Sequence, residues 1–113
     1  MVDRINEPDW KLFRTLHPVA LGRFCQRVLA EIAQINADVR KSHHERYLEI
    51  WEVLKSRDRE VTATFDDKRR STALMQLAMI RFSGLLSDEE FSRFSEETRS
   101  TIERFQAYRQ GER

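Results

Sequence analysis

The nineteen residues ALMQLAMIRFSGLLSDEEF, Ala73 to Phe91, decide the fold. In ALMQLAMIRF eight of ten residues are apolar, more than one face of a helix can hold, so this helix is expected to be buried nearly all round. It is either the central helix of the domain, or a second copy of the chain covers its outer face. Gly84 suits the left-handed conformation that ends a helix. Ser87 and Glu90 then form a capping box, with Leu86 and Phe91 at the two positions of a hydrophobic staple. The stretch therefore reads as two helices joined by a tight turn.

The same periodicity extends in both directions. Pro8 suits a first helical turn, and Trp10, Phe13 and Leu16 follow at three-residue spacing in a short first helix that Pro18 is expected to stop. A second helix carries the stripe Leu21, Phe24, Cys25, Val28, Leu29, Ile32, Ile35, Val39, interrupted by Gly22, a candidate for close helix approach. Ser42 with Glu45 makes another capping box. The third helix opens there and runs through Tyr47, Ile50, Trp51, Leu54 and Val61 to a break near Phe65, with Asp66 or Asp67 as cap for the next start. Ser95 caps a last helix bearing Ile102, Phe105 and Tyr108, and Arg109 to Arg113 is expected to fray. No segment alternates with period two between turn residues. The expected fold is all-α: a compact bundle of about five or six helices with long central third and fourth helices, residues 1–113 forming one domain.

Composition narrows the function classes. Twenty basic groups face nineteen acidic ones, so no overall field demands nucleic acid or a basic partner. Cys25 is the only cysteine, which excludes an intramolecular disulfide framework and multi-cysteine zinc sites, and makes the cytoplasm the expected compartment. The first twenty residues lack the apolar core of a signal peptide. The apolar run from Ala73 to Phe82 is far short of the roughly 20 residues a bilayer span needs, so no membrane partner is expected.

Motifs for chemistry are missing. No Glu-x-x-His pair exists, and His43, His44 and Glu45 diverge around their helix, so neither a metal nor another cofactor is expected. Gly22, Gly84 and Gly111 stand apart, which excludes phosphate-binding glycine loops. Cys25, on an apolar stripe, reads as a small buried hydrophobe rather than a nucleophile. Asp58 interrupts the third helix's stripe and needs a partner, for which Arg81 is the candidate. No catalytic residue is assigned.

Two basic clusters mark helix starts: Arg40, Lys41 and Arg46, with His43 and His44 between them, and Lys68, Arg69 and Arg70. Phosphate binding would use such groups. However, Glu45, Asp66 and Asp67 are interleaved, no aromatic lies within either cluster to stack on bases, and Asp88, Glu89 and Glu90 would repel phosphate from the turn after Gly84. A helical regulatory protein contacting nucleic acid is therefore the alternative. The leading expectation is a non-catalytic protein–protein interaction or adaptor module. Its interface would use Tyr47, Trp51, Met75, Met79 and Phe82, residue types enriched in helix-groove and dimer contacts. Homodimerisation is the expected assembly, and the sequence identifies no other protein partner.

Leu77 to Phe91, LAMIRFSGLLSDEEF, locally resembles the short oligomerisation motif of SHOCT domains, in which a helix ends at Gly, a Leu-Ile-type pair follows and an acidic helix opens toward Phe. FSRFSEETRS stands where that motif has a lysine-rich end, and no function is carried over from it.

Overall fold

Asn6 starts the first helix: its side chain accepts from the amide of Asp9 at 2.9 Å, and Pro8 occupies the first turn, where a missing N–H costs nothing. In the computed structural model, which describes residues 4–66 and 68–111, every regular element is helical. They are α1 (Glu7–Ala37), α2 (His43–Phe65), α3 (Ala73–Phe82), α4 (Asp88–Ser92) and α5 (Glu96–Arg109), with a single 3₁₀ turn, Arg70–Thr72, leading into α3.

The stop expected at Pro18 does not occur. α1 runs through Pro18 for 31 residues, so the first two expected helices are one. Pro18 and Arg14, whose carbonyl loses its amide partner, both face outward, where hydration can take the place of that bond. The expected pair of long helices is thereby corrected: α1 and α2 are the long ones, and the apolar α3 has only ten residues. Both capping boxes form as read, on Ser42 with Glu45 and on Ser87 with Glu90. Gly84 has φ +71°, the Leu85 amide donates to the Ile80 carbonyl and the Gly84 amide to that of Arg81, and Ile80 and Leu85 are both buried beside the turn. α2 does end at Phe65, but Asp66 does not cap a new helix: its carbonyl accepts from the Gln76 side chain, and Asp67 lies outside the described residues. Ser95 caps α5, which ends at Arg109; of the end expected to fray, Glu112 and Arg113 lie outside the described residues.

The core gathers Phe13, Leu16 and Ala20 of α1, Phe65 of α2, Leu77 and Ile80 of α3, Phe94, and Ile102 of α5. α3 is the inner helix of this head, packed against α1, α2 and α5. From Leu21 to Ala63, by contrast, no residue is buried. That stretch is an antiparallel hairpin, the outer half of α1 against most of α2, projecting from the head. The chain measures 53 × 32 × 25 Å with a radius of gyration of 17.0 Å, against about 13 Å for a compact domain of this length. The bundle is elongated rather than compact.

Three ties fix α1 to the head. At its start, Asp9 is 4% exposed and accepts from the Ser95 hydroxyl (2.6 Å), the Thr98 hydroxyl (2.6 Å), the Ser95 amide (3.1 Å) and the Asn6 side chain (3.2 Å). A carboxylate at the N-terminus of α5 also complements the helix dipole. In the middle, the rings of Trp10, Phe13, His17 and Phe65 form a chain with centroids 5.3 to 5.8 Å apart, and Nε2 of His17 donates to the Phe65 carbonyl at 3.0 Å. Burial, above all, pushes the His17 pKa below its usual 6.5; the bond to Phe65 opposes this and the Lys68 charge adds to it.

Beyond the core, Arg23 binds both carboxylate oxygens of Glu90, at 2.6 and 2.9 Å, and the Leu85 carbonyl at 2.9 Å. Arg27, one turn on, donates to the Ser83 and Gly84 carbonyls, each at 2.7 Å. These guanidiniums satisfy carbonyls left over where α3 ends. The Arg23 bridge, with the Ser87 amide, pulls the Glu90 carboxyl down to about 2. The proposed Asp58–Arg81 pair does not form: Asp58 sits exposed on the hairpin, while Arg81 bonds Asp88 at 2.7 Å and stacks over Phe91.

Replacing Asp9 by Ala strips two hydroxyls of their acceptor, so urea unfolding should show a loss of about 2 to 3 kcal/mol; a loss under 0.5 kcal/mol would remove Asp9 from this role. His17 predicts a pH dependence of defined sign. Below pH 6.5 the unfolded chain protonates His17 and the native chain resists, so stability falls as pH drops from 7.5 toward 5.5. Urea midpoints measured across that range should decline less steeply in His17→Gln, and equal slopes would exclude His17 as the source.

Candidate functional site

The residues expected to form one interface lie in two places. Tyr47 and Trp51 are on the hairpin, 68% and 53% exposed, whereas Met75, Met79 and Phe82 are on α3 in the head. Each group has acquired neighbours that the sequence reading did not assign to it.

On the hairpin, Tyr47, Trp51 and Leu54 recur at four- and three-residue steps and so share one face of α2. Leu54 and Val61 continue into a shallow trough against Phe24, Cys25, Val28 and Leu29 of α1. Leu29 is 66% exposed, and Leu48 is also open. Cys25, expected in the core, is exposed on this face, because the helix stripe that carries it has only one partner helix to face. Gly22 does not mark close approach: a Cβ placed there would meet nothing within 4 Å. Arg57 and Asp58 also line the trough. Arg57 reaches Glu31 at 3.1 Å and Glu60 at 2.6 Å, and those two acids hold its pKa above the usual arginine value.

In the head, Met75, Met79 and Phe82 meet Phe105 and Tyr108 of α5 along an open groove of about 600 Å³. Arg104 and Arg109 also line it, and the Arg109 guanidinium lies 5.2 Å from the Phe82 ring centroid. Met75 is 57% exposed. The spacing of Phe105, Tyr108 and Arg109 on one side of α5 carried this signal in the sequence.

The basic clusters sit at the two ends of α2, 23 residues and so roughly 34 Å apart. At the hairpin tip Arg40 pairs with Asp38, Lys41 with Glu49, and Arg46 donates to the Asn36 carbonyl. At the other end Arg70 pairs with Glu7 and also reaches the Ile5 carbonyl. Lys68 and Arg69 are exposed. Most of these cations are therefore engaged within the chain. Among the described residues, no three His, Cys, Asp or Glu side chains are grouped to hold a metal ion. No helix of the described residues is long and apolar enough to cross a membrane.

No protein-family model, curated protein or solved structure matches this chain.

Exposure separates surface from scaffold in a way that mutation can read. In dilute protein, Trp51→Gln and Leu54→Gln should each shift the unfolding free energy by less than about 0.5 kcal/mol. Leu77→Ala, inside the head, should cost about 2 to 5 kcal/mol. Comparable losses at all three positions would show that the hairpin face is packed.

Proposed function

We propose that this chain is a non-catalytic protein–protein interaction module that self-associates, the apolar face of one hairpin packing on that of a second copy to complete a four-helix bundle. The observation that carries this reading is the run from Leu21 to Ala63, in which the outer parts of two long helices bury no residue, while Leu29, Tyr47, Trp51 and Leu54 are exposed. A two-helix layer has a core only when something covers its apolar face. A second hairpin supplies the same residue types at the same spacing, which is what a two-fold interface requires. Contiguous exposed apolar residues of this kind mark association surfaces. The reading places the module in the cytoplasm, where a lone exposed thiol such as Cys25 stays reduced.

Sedimentation equilibrium of the untagged chain should give a species of twice 13.5 kDa. Trp51→Glu combined with Leu54→Glu should give the monomer with unchanged helicity. Alkylation of Cys25, which lines the trough, should slow as wild-type concentration rises and stay constant in the double variant. A wild-type monomer at high micromolar concentration, or a dimer indifferent to the double substitution, would sink the proposal.

A further inference from the structure

The groove between α3 and α5 is separate from the hairpin and has a chemistry of its own. Its walls are apolar, from Met75, Met79 and Phe82 on one side and Phe105 and Tyr108 on the other. Its volume of about 600 Å³ falls within the roughly 300 to 1,000 Å³ of small-molecule sites. Its charged lining consists of Arg104 and Arg109, with no carboxylate among the described residues that line it. Neither arginine forms an ion pair among the described residues; Arg109 instead lies over the face of Phe82. A guanidinium held over a ring can still donate through its N–H groups. An apolar trough whose lining includes two guanidiniums without ion-pair partners is complementary to a molecule with one apolar tail and one anionic head.

We propose that this groove binds a single-chain alkyl carboxylate, its tail along Met75, Met79 and Phe105 and its head on Arg104 and Arg109. Dimension decides against a partner helix. The apolar floor from Met75 to Phe82 runs about 10 Å along α3, whereas three turns of a docked helix need about 16 Å. Methionine side chains suit a tail, since they are unbranched and adapt to irregular apolar shapes. A guanidinium suits the head, because its planar fork donates two parallel bonds to a carboxylate. The site stands whether or not the hairpins self-associate.

Decanoate is the probe, titrated by calorimetry below its micelle-forming concentration into protein carrying ¹³C-labelled methionine methyls. One molecule should bind per chain, and the Met75 and Met79 methyl signals should move with the same saturation curve. Octanoate, two methylenes shorter, should bind about fifteenfold more weakly. Decan-1-ol, with the same tail and no charge, should bind at least tenfold more weakly. Arg104→Gln combined with Arg109→Gln, at two exposed positions, should erase the preference of decanoate over decan-1-ol while leaving the fold intact. Stationary methionine methyls, equal binding of acid and alcohol to the wild type, or an acid preference that survives the double variant would each overturn the assignment. So would methyl shifts that follow protein concentration without ligand, since these would mark the groove as occupied by a second copy.

Discussion

A helix of 31 residues extends about 46 Å, and the elements after α2 pack only around its first turns. The length of α1 therefore divides the molecule. Its first turns, from Asp9 to Ala20, bring Phe13, Leu16 and Ala20 into a core completed by α3, Phe94 and α5. Its remaining turns have one companion, α2, and two helices side by side shield only the seam between them. The elongated outline, the open face bearing Trp51 and Leu29, and the exposed thiol of Cys25 all follow from this division. Had Pro18 broken the helix, the second half could have folded back on the head and the apolar face would have been covered.

The constraint makes the joint between head and hairpin the critical place. A lever that long needs more than apolar contact at its root, and the structure supplies polar ties that are specific in direction. Asp9 draws hydrogen bonds from the start of α5, so α1 and α5 begin at the same point. His17 donates to the last carbonyl of α2, which locates the return helix of the hairpin against the outgoing one. Arg23 and Arg27 grip the turn at Ser83 to Leu85, where Gly84 alone has the backbone freedom for φ +71°. The buried Asp9 contacts contribute most per bond, because few waters compete for their partners. The more exposed Arg23 and Arg27 contacts chiefly set orientation.

Local signals were legible wherever one short segment contains both donor and acceptor. Ser42 with Glu45, Ser87 with Glu90, Gly84 before Leu85, and the end of α2 at Phe65 are all three- to six-residue patterns, and all four appear where the sequence places them. The failures share a different cause. Pro18 looks like a stop because helix breaking is judged locally, yet its outcome depends on which side of the helix faces the head. Asp58 and Cys25 look buried because an apolar stripe implies a covering surface, and the sequence does not say whether one is present in the same chain. Of the candidate interface, the exposed rank of Tyr47 and Trp51 was legible from residue type. Its separation from Met75, Met79 and Phe82 was not, since that depends on where α5 docks.

One arrangement has an architectural consequence. All buried residues of α1 lie at or before Ala20, those of α2 are Thr64 and Phe65, and the links at the hairpin tip, Arg40 to Asp38 and Lys41 to Glu49, are made among the tip's own residues. The hairpin is thus a graduated arm whose reach is independent of its mounting. Adding seven residues to each helix between root and tip would nearly restore the register of every side chain and carry the tip outward by about 10 Å, with no change demanded of the head. In this fold the distance between root and tip is free to vary by whole increments, as the span of a ruler is, while the fittings at the root remain the same.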